Sequence, residues 1–179
     1  MSRIAPLEPP YEAEIQSQFD RIMRGAPPLM LFRVMATNAR AWEKFRAGSL
    51  LDRGPLDLRE REIVIDRTCA LTGCEYEWGV HVTTFAQAAG LGEAEIRATV
   101  REGAEAPCWS ASERALISAV DALHARATLS DDEFAALSSH YDAADIFEII
   151  LLCGFYRTVS YLANGLRLPL EEKAARFPK

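Results

Sequence analysis

Cys74, Glu77 and His81 are spaced by three and four residues, and on a helix those offsets put all three side chains on one face. A thiol, a carboxylate and an imidazole converging on one small volume can move protons to and from a bound substrate. Glu77 and His81 also form an i, i+4 pair, able to hydrogen-bond and fix the imidazole tautomer. Cys74 directly follows Gly73 and so falls in a first helical turn, where free backbone N–H groups and the helix dipole favour a thiolate. Glu75 and Glu77 oppose that field, which leaves the sign of the net effect open. A Cys, a Glu and a His on one helix can also ligate zinc, but the cysteine and histidine spacings of familiar zinc sites are absent. No metal or other cofactor is expected. As plain packing, Cys74 would be a small buried hydrophobe and His81 a satisfied core histidine. Three polar groups on one face, beside a glycine break, argue for chemistry instead.

Such a cluster needs helices to hold it, and nearly every segment reads with helical period. Residues 11–24 form a short amphipathic stretch ended by Gly25 and Pro27-Pro28. Leu29, Leu31, Phe32, Met35, Trp42 and Phe45 supply apolar positions for one helix of roughly four turns. Residues 48–55 read as a loop, and Asp57 with Glu60 makes a capping-box start for the next helix. That helix carries Ile63, Val64, Ile65, Cys69 and Leu71 until Thr72-Gly73 interrupts it. A helix from about Cys74 to Ala89 stops at Gly90, and residues 92–102 make a shorter one. Ser110 or Ser112 caps a helix through Ala127, and Ser130 with Glu133 is another capping box. The last helix, about Ala143 to Asn164, is nearly apolar all round from Ile146 through Phe155, so it is expected to be buried in the core or between subunits. No stretch alternates with period two for long enough to make a strand. The expectation is an all-α fold, a single domain of about seven or eight helices over residues 1–179.

The bulk properties bound the function. The chain has 179 residues, 49% of them hydrophobic and 26% charged, with a formal net charge of −6 spread along its length. That is ordinary globular material, and it offers no phosphate-tracking surface, so nucleic acid is not an expected partner. The segment Met1 to Pro6 lacks the apolar run of a signal peptide. The run Ile149 to Phe155 is too short to span a bilayer, and no membrane is expected. Four cysteines (Cys69, Cys74, Cys108 and Cys153) in such a chain read as thiols rather than a disulfide framework. The expected location is the cytoplasm.

Glu62, then Cys74, Glu77 and His81, followed by Ala89-Gly90-Leu91 and Glu95-Ile96, resembles the carboxymuconolactone decarboxylase/AhpD-like family over roughly residues 30–165. The family signature is a Glu about twelve residues ahead of a Cys-x-x-Cys-x-x-x-His element. Glu62 takes the Glu position, Cys74 the first Cys and His81 the His. Glu77 stands where the second Cys would be, as in a Glu-Tyr-Glu-Trp variant to which Arg67-Thr68-Cys69 and Pro107-Cys108-Trp109-Ser110 are also similar. The resemblance implies a helical homo-oligomer with a small-molecule substrate.

Members with both cysteines reduce hydroperoxides, one thiolate attacking the peroxide and the other resolving the sulfenic acid as a disulfide. The resemblance therefore implies peroxiredoxin-like chemistry with Cys74 as the reactive thiol, His81 as its base and Glu62 and Glu77 as relay carboxylates. An external thiol would serve as reductant. Cys69 is the nearest substitute for the missing cysteine. In an unbroken helix five residues rise roughly 7.5 Å, beyond disulfide reach, and the Thr72-Gly73 break leaves that geometry open. Cys108 and Cys153 would approach only through tertiary folding. The lactone-decarboxylase branch suggests the rival reading, acid–base chemistry by Glu62, Glu77 and His81. Arg67 and Tyr76 would then be weak candidates to stabilise developing charge, with Trp78 beside them as a packing or substrate-binding residue. A third reading is an oligomeric scaffold or ligand-binding protein with a vestigial site. His124 and His140 read as surface or capping residues. Tyr156, Arg157, Tyr161 and Asn164 form a polar stripe that either lines the same pocket or meets another subunit.

Overall fold

The computed structural model describes residues 2–179, and the described residues form nine α-helices and no strand. They run in order α1 (Ala13–Met23), α2 (Met30–Met35), α3 (Ala39–Ala47), α4 (Leu58–Leu71), α5 (Glu75–Phe85), α6 (Glu93–Val100), α7 (Ala111–Arg126), α8 (Asp131–Ser138) and α9 (Ala143–Gly165). A short 3-10 turn, Gly103–Glu105, leads towards α7. The fold class is the one expected, and the helix count exceeds the seven or eight expected. One reason lies at Asn38. The apolar spacing from Leu29 to Phe45 continues across it, but its side chain accepts a hydrogen bond from the Ala41 amide and starts a new helix. A local N-cap outweighs a continuing hydrophobic period here.

The capping boxes read at Asp57 and Ser130 are formed, and α7 and α9 start with boxes of their own. At α4 the Asp57 carboxylate accepts from the Glu60 amide at 2.8 Å, and Glu60 accepts from the Asp57 amide at 3.1 Å. Ser110 with Glu113 starts α7, Ser130 with Glu133 starts α8, and Asp142 with Asp145 starts α9. The helix expected to reach Ala89 ends its regular part at Phe85 and closes in turns before Gly90, which has φ +66°.

The architecture centres on α4, which packs against α5, α6, α7 and α9. Every residue from Glu62 to Cys69 is buried. A helix enclosed on all sides has no solvent face for its polar residues, so Glu62, Asp66, Arg67 and Thr68 each need a partner inside the protein or carry a penalty. The long helix α9 is apolar and long enough to cross a membrane by length and composition. In the fold it is a core helix, with Ile149, Leu152, Tyr156, Val159 and Ala163 buried against its neighbours. The C-terminal segment after α9 returns along α5. There the Ala175 amide donates to Thr83 Oγ1 at 2.8 Å. A Cβ on Gly79 would stand 2.3 Å from the Ala175 carbonyl oxygen, so only glycine allows that close approach.

Candidate active site

The turn between α4 and α5 positions Cys74. Gly73 adopts φ +63°, its amide donates to the Ala70 carbonyl at 3.0 Å, and the Cys74 amide donates to the Cys69 carbonyl at 2.8 Å. These two bonds define a Schellman motif, in which the left-handed glycine folds the chain back on the helix it has just left. Cys74 thereby ends α4 and is also the N-cap residue of α5. From there the helical period carries Glu77 and His81 inward, and all three residues are buried.

His81 is the hub. Its Nδ1 lies 2.7 Å from Glu62 Oε2, and its Nε2 lies 3.5 Å from Glu77 Oε1. The other oxygen of Glu62 accepts from Arg61 Nε at 3.1 Å, with Nη2 3.0 Å away. Tyr156 of α9 closes the imidazole edge-on, with ring centres 5.0 Å apart, and Phe85 flanks it at 5.2 Å. Burial opposes a charge on His81, but hydrogen bonds to Glu62 and Glu77 and the fields of both outweigh it, pushing its pKa up to about 10. The ring is an imidazolium held between two carboxylates at neutral pH.

The thiol end is tuned differently. Burial pushes the Cys74 thiol up from its ordinary value, and the Glu77 carboxylate adds to that. The amides of Glu77 and Tyr76 and the Ser160 hydroxyl, all turned towards the sulfur, work in the opposite sense. The groups thus lie in sequence: Cys74, Glu77, His81, Glu62, Arg61. Glu77 stands between the thiol and the imidazole.

The profile of the Carboxymuconolactone decarboxylase family matches residues 36–122, which contain this constellation. Over that central part the chain is similar to the carboxymuconolactone decarboxylase family. Among solved structures, an uncharacterized peroxidase-related protein from Silicibacter sp. TM1040 is similar at TM-score 0.84 and 18% identity, over 96% of this chain and 93% of that one. Protein ATU0492 of Agrobacterium tumefaciens, of unknown function, is similar at TM-score 0.70 and 25% identity, over 76% of this chain and 94% of that one. The debrominase Bmp8, as a cysteine-to-alanine variant in complex with 2,3,4-tribromopyrrole, is similar at TM-score 0.79 and 14% identity, over 95% and 92%. No curated protein matches the sequence.

In this chain the Glu62, Glu77 and His81 side chains meet, and Cys74 adjoins them through Glu77. Tyr76, Trp78 and Arg67, the weak substrate-binding candidates, each make hydrogen bonds within the fold. Tyr76 donates to Glu171 at 2.6 Å and accepts from the Leu31 amide at 3.0 Å. Trp78 Nε1 donates to Thr99 Oγ1 at 3.0 Å, and its ring meets Phe177 edge-on. Arg67 binds Asp121 through two bonds of 2.6 and 3.0 Å and the Thr99 carbonyl through a third of 2.9 Å. Their polar atoms are already used to tie distant segments together. Of the polar stripe on α9, only Tyr156 faces the site. Arg157 bonds Tyr161 and the His124 carbonyl, and Asn164 bonds the Thr72 carbonyl.

Two residues belong to the site that spacing alone did not single out. Asp66, one turn beyond Glu62 on α4, is 1% exposed, and neither carboxyl oxygen has a hydrogen-bond partner. Burial and the nearby Glu62 raise its pKa well above the usual carboxylate range, although the His81 charge pulls the other way. Ser160, one turn beyond Tyr156 on α9, accepts from Thr72 at 2.8 Å and donates to the Tyr156 carbonyl at 2.7 Å. Both stand at i, i+4 from a site residue, a signal readable only once the inward face of each helix is fixed. Among the described residues no group of three or more His, Cys, Asp or Glu side chains is arranged to hold a metal ion.

Proposed function

We propose that the protein reduces small hydroperoxides with the Cys74 thiol. The observation that carries this reading is the placement of Cys74 as the N-cap residue of α5, beside the free amides of the first turn and with Glu77 three residues on. Those amides stabilise a thiolate at the moment it forms. Glu77 takes the thiol proton, the sulfur attacks the terminal peroxide oxygen, and the O–O bond breaks to leave a sulfenic acid on Cys74 and an alkoxide. The His81 imidazolium, anchored by Glu62, protonates the departing alkoxide. This casts His81 as the acid of the step rather than as the base that the resemblance implies. An external thiol then condenses with the sulfenic acid, releasing water and leaving a mixed disulfide, and a second thiol frees Cys74 as the external disulfide departs. Cys74 has no exposed surface, which suits a small substrate. Two similar structures carry names in keeping with the reading, one peroxidase-related and one tied to AhpD-type antioxidant defence.

A second reading is non-redox acid–base catalysis, such as decarboxylation or isomerisation of a small carboxylated lactone. It is favoured by the imidazolium clamped between two buried carboxylates, which needs no thiol. A vestigial site fits less well. Buried polar atoms without partners, at Asp66, Thr68 and Glu77, cost about 1–3 kcal/mol each, and a scaffold gains nothing from them. The cytoplasm, whose poise keeps thiols reduced, is the proposed location. A homo-oligomer is proposed from the exposed side of α9, where Phe147 is 70% and Leu151 57% exposed, and light scattering of the purified protein tests it.

The deciding experiment assays peroxide reduction with a dithiol donor, and lactone decarboxylation, in wild type, Cys74→Ser and His81→Ala. Peroxide turnover should fall by on the order of 100-fold or more in both variants. Turnover that survives Cys74→Ser sinks the thiol mechanism. Lactone turnover that requires His81 and ignores Cys74 establishes the second reading.

A further inference from the structure

Cys69 is the one cysteine whose surroundings include Cys74. Of the other two, Cys108 lies among Glu95, Glu102 and Glu113, and Cys153 faces Thr68. Cys69 and Cys74 are both fully buried, and the Ser160 hydroxyl acts on both sulfurs. In the Schellman motif at the α4–α5 turn they occupy the two positions joined by the hydrogen bond of wider sequence span, Cys74 amide to Cys69 carbonyl at 2.8 Å. Side chains at these positions commonly touch in this motif. The rise of about 7.5 Å that separates residues five apart on a straight helix therefore does not apply, because Gly73, at φ +63°, folds the chain back.

We propose that Cys69 and Cys74 form a working dithiol across this turn, with Cys69 resolving the oxidised Cys74. The proposal rests on the thiol-peroxidase reading for its oxidant and supplies the second sulfur that the Glu77 position lacks. After peroxide attack Cys74 carries a sulfenic acid. The Cys69 sulfur displaces its hydroxyl, an S–S bond forms, the Cys69 proton joins the leaving hydroxide and water is released. An external dithiol then reduces the disulfide through a mixed disulfide, returning two thiols and leaving as its own disulfide. The Ser160 hydroxyl, which accepts from Thr72 and donates its proton to the Tyr156 carbonyl, stands beside both sulfurs as a polar neighbour.

The test uses a Cys108→Ser/Cys153→Ala background, so that only these two thiols remain, and compares it with the same chain carrying Cys69→Ala. Tryptic peptide 68–97 contains both cysteines and no internal Lys or Arg, so an internal disulfide appears as a loss of two hydrogens that blocks alkylation. One equivalent of hydrogen peroxide should give that disulfide in the background protein. With Cys69→Ala it should give a dimedone-reactive sulfenic acid on Cys74, and steady-state turnover with a dithiol donor should fall roughly tenfold. Parallel equilibration in oxidised dithiothreitol, without peroxide, should form the same disulfide. Gly73→Val, strained at its positive φ, should suppress disulfide formation in both arms, whereas Gly73→Asn should retain it. A Cys74 sulfenic acid that persists in the background protein as it does in Cys69→Ala overturns the dithiol and leaves the peroxidase reading standing. No disulfide in oxidised dithiothreitol also overturns it. A disulfide there, with no oxidation by peroxide, overturns the peroxidase reading alone.

Discussion

On the side of α5 that carries Tyr76, Trp78, Gly79 and Thr83, the polar side chains reach across the molecule to Glu171, Thr99 and the Ala175 amide. On the side that carries Cys74, Glu77 and His81, all three are buried, yet Glu77 Oε2 and both Asp66 oxygens have no partner. One helix thus presents a satisfied face and an unsatisfied one. The satisfied face converts burial into stability, because each donor lost to water is replaced by a partner in the fold. The unsatisfied face spends stability, keeping an imidazolium, carboxylates and thiols in a volume from which water is excluded. Residues on the first should set how firmly the protein folds, and residues on the second what it can do.

The largest expected effect tests the second face. Glu62→Gln keeps the shape of the side chain while removing the charge that anchors His81, so the His81 pKa should drop towards its ordinary value. Peroxide turnover should fall by on the order of 100-fold, and the unfolding midpoint near neutral pH should fall as well, because the stability linked to the raised His81 pKa goes with it. A variant that loses stability but keeps turnover would reverse the assignment of this face.

Next in size is the pH dependence of stability. The folded pKa of His81, raised to about 10, exceeds the unfolded value of about 6.5. Its contribution is therefore fully present below pH 6.5 and is lost as pH rises through 10, because over that window the native state holds the proton that the unfolded state releases. Denaturant unfolding from pH 6 to pH 10 should show stability falling by a few kcal/mol. In His81→Leu the fall should be much shallower.

Gly79→Ala strikes the satisfied face. Its Cβ meets the Ala175 carbonyl, so the C-terminal segment must shift or detach, at a cost of about 1–3 kcal/mol. Proteolysis after Arg176 should become faster, and Cys74 reactivity should change little. If Gly79→Ala abolished turnover without destabilising the chain, the two faces would not be separable.

The two faces are not equally legible in the sequence. Cys74, Glu77 and His81 share a face by helical period alone, and Asp57, Ser110 and Ser130 announce their helix starts with a glutamate three residues on. Those are local rules, and the fold obeys them. Tyr76, Trp78 and Arg67 escape local reading because their partners, Glu171, Thr99 and Asp121, lie 21 to 95 residues away in sequence. Nothing in local spacing marks such a pairing. The split of the second apolar stretch into α2 and α3 is hidden because the hydrophobic period runs through Asn38. The separation of Cys69 and Cys74 misleads for a different reason: straight-helix rise does not hold across Gly73, the one residue there free to turn left-handed.

Asp66 tests the comparison most finely, since it lies on the unsatisfied side without touching the thiol chemistry. Its raised pKa means that the folded protein keeps a proton which the unfolded chain gives up above about pH 4. The sign follows from linkage: a carboxyl whose folded pKa is raised contributes fully below its unfolded pKa, and that contribution is lost as pH rises towards the folded pKa. An amide has the shape of the protonated acid and no proton to lose. Asp66→Asn should therefore stabilise the protein at pH 8, by on the order of 1 kcal/mol, and change little below pH 4. Equal unfolding midpoints at pH 8 would mean that Asp66 is ionised in the fold, in which case the His81 imidazolium, and not burial, governs the charge state of this side of α4.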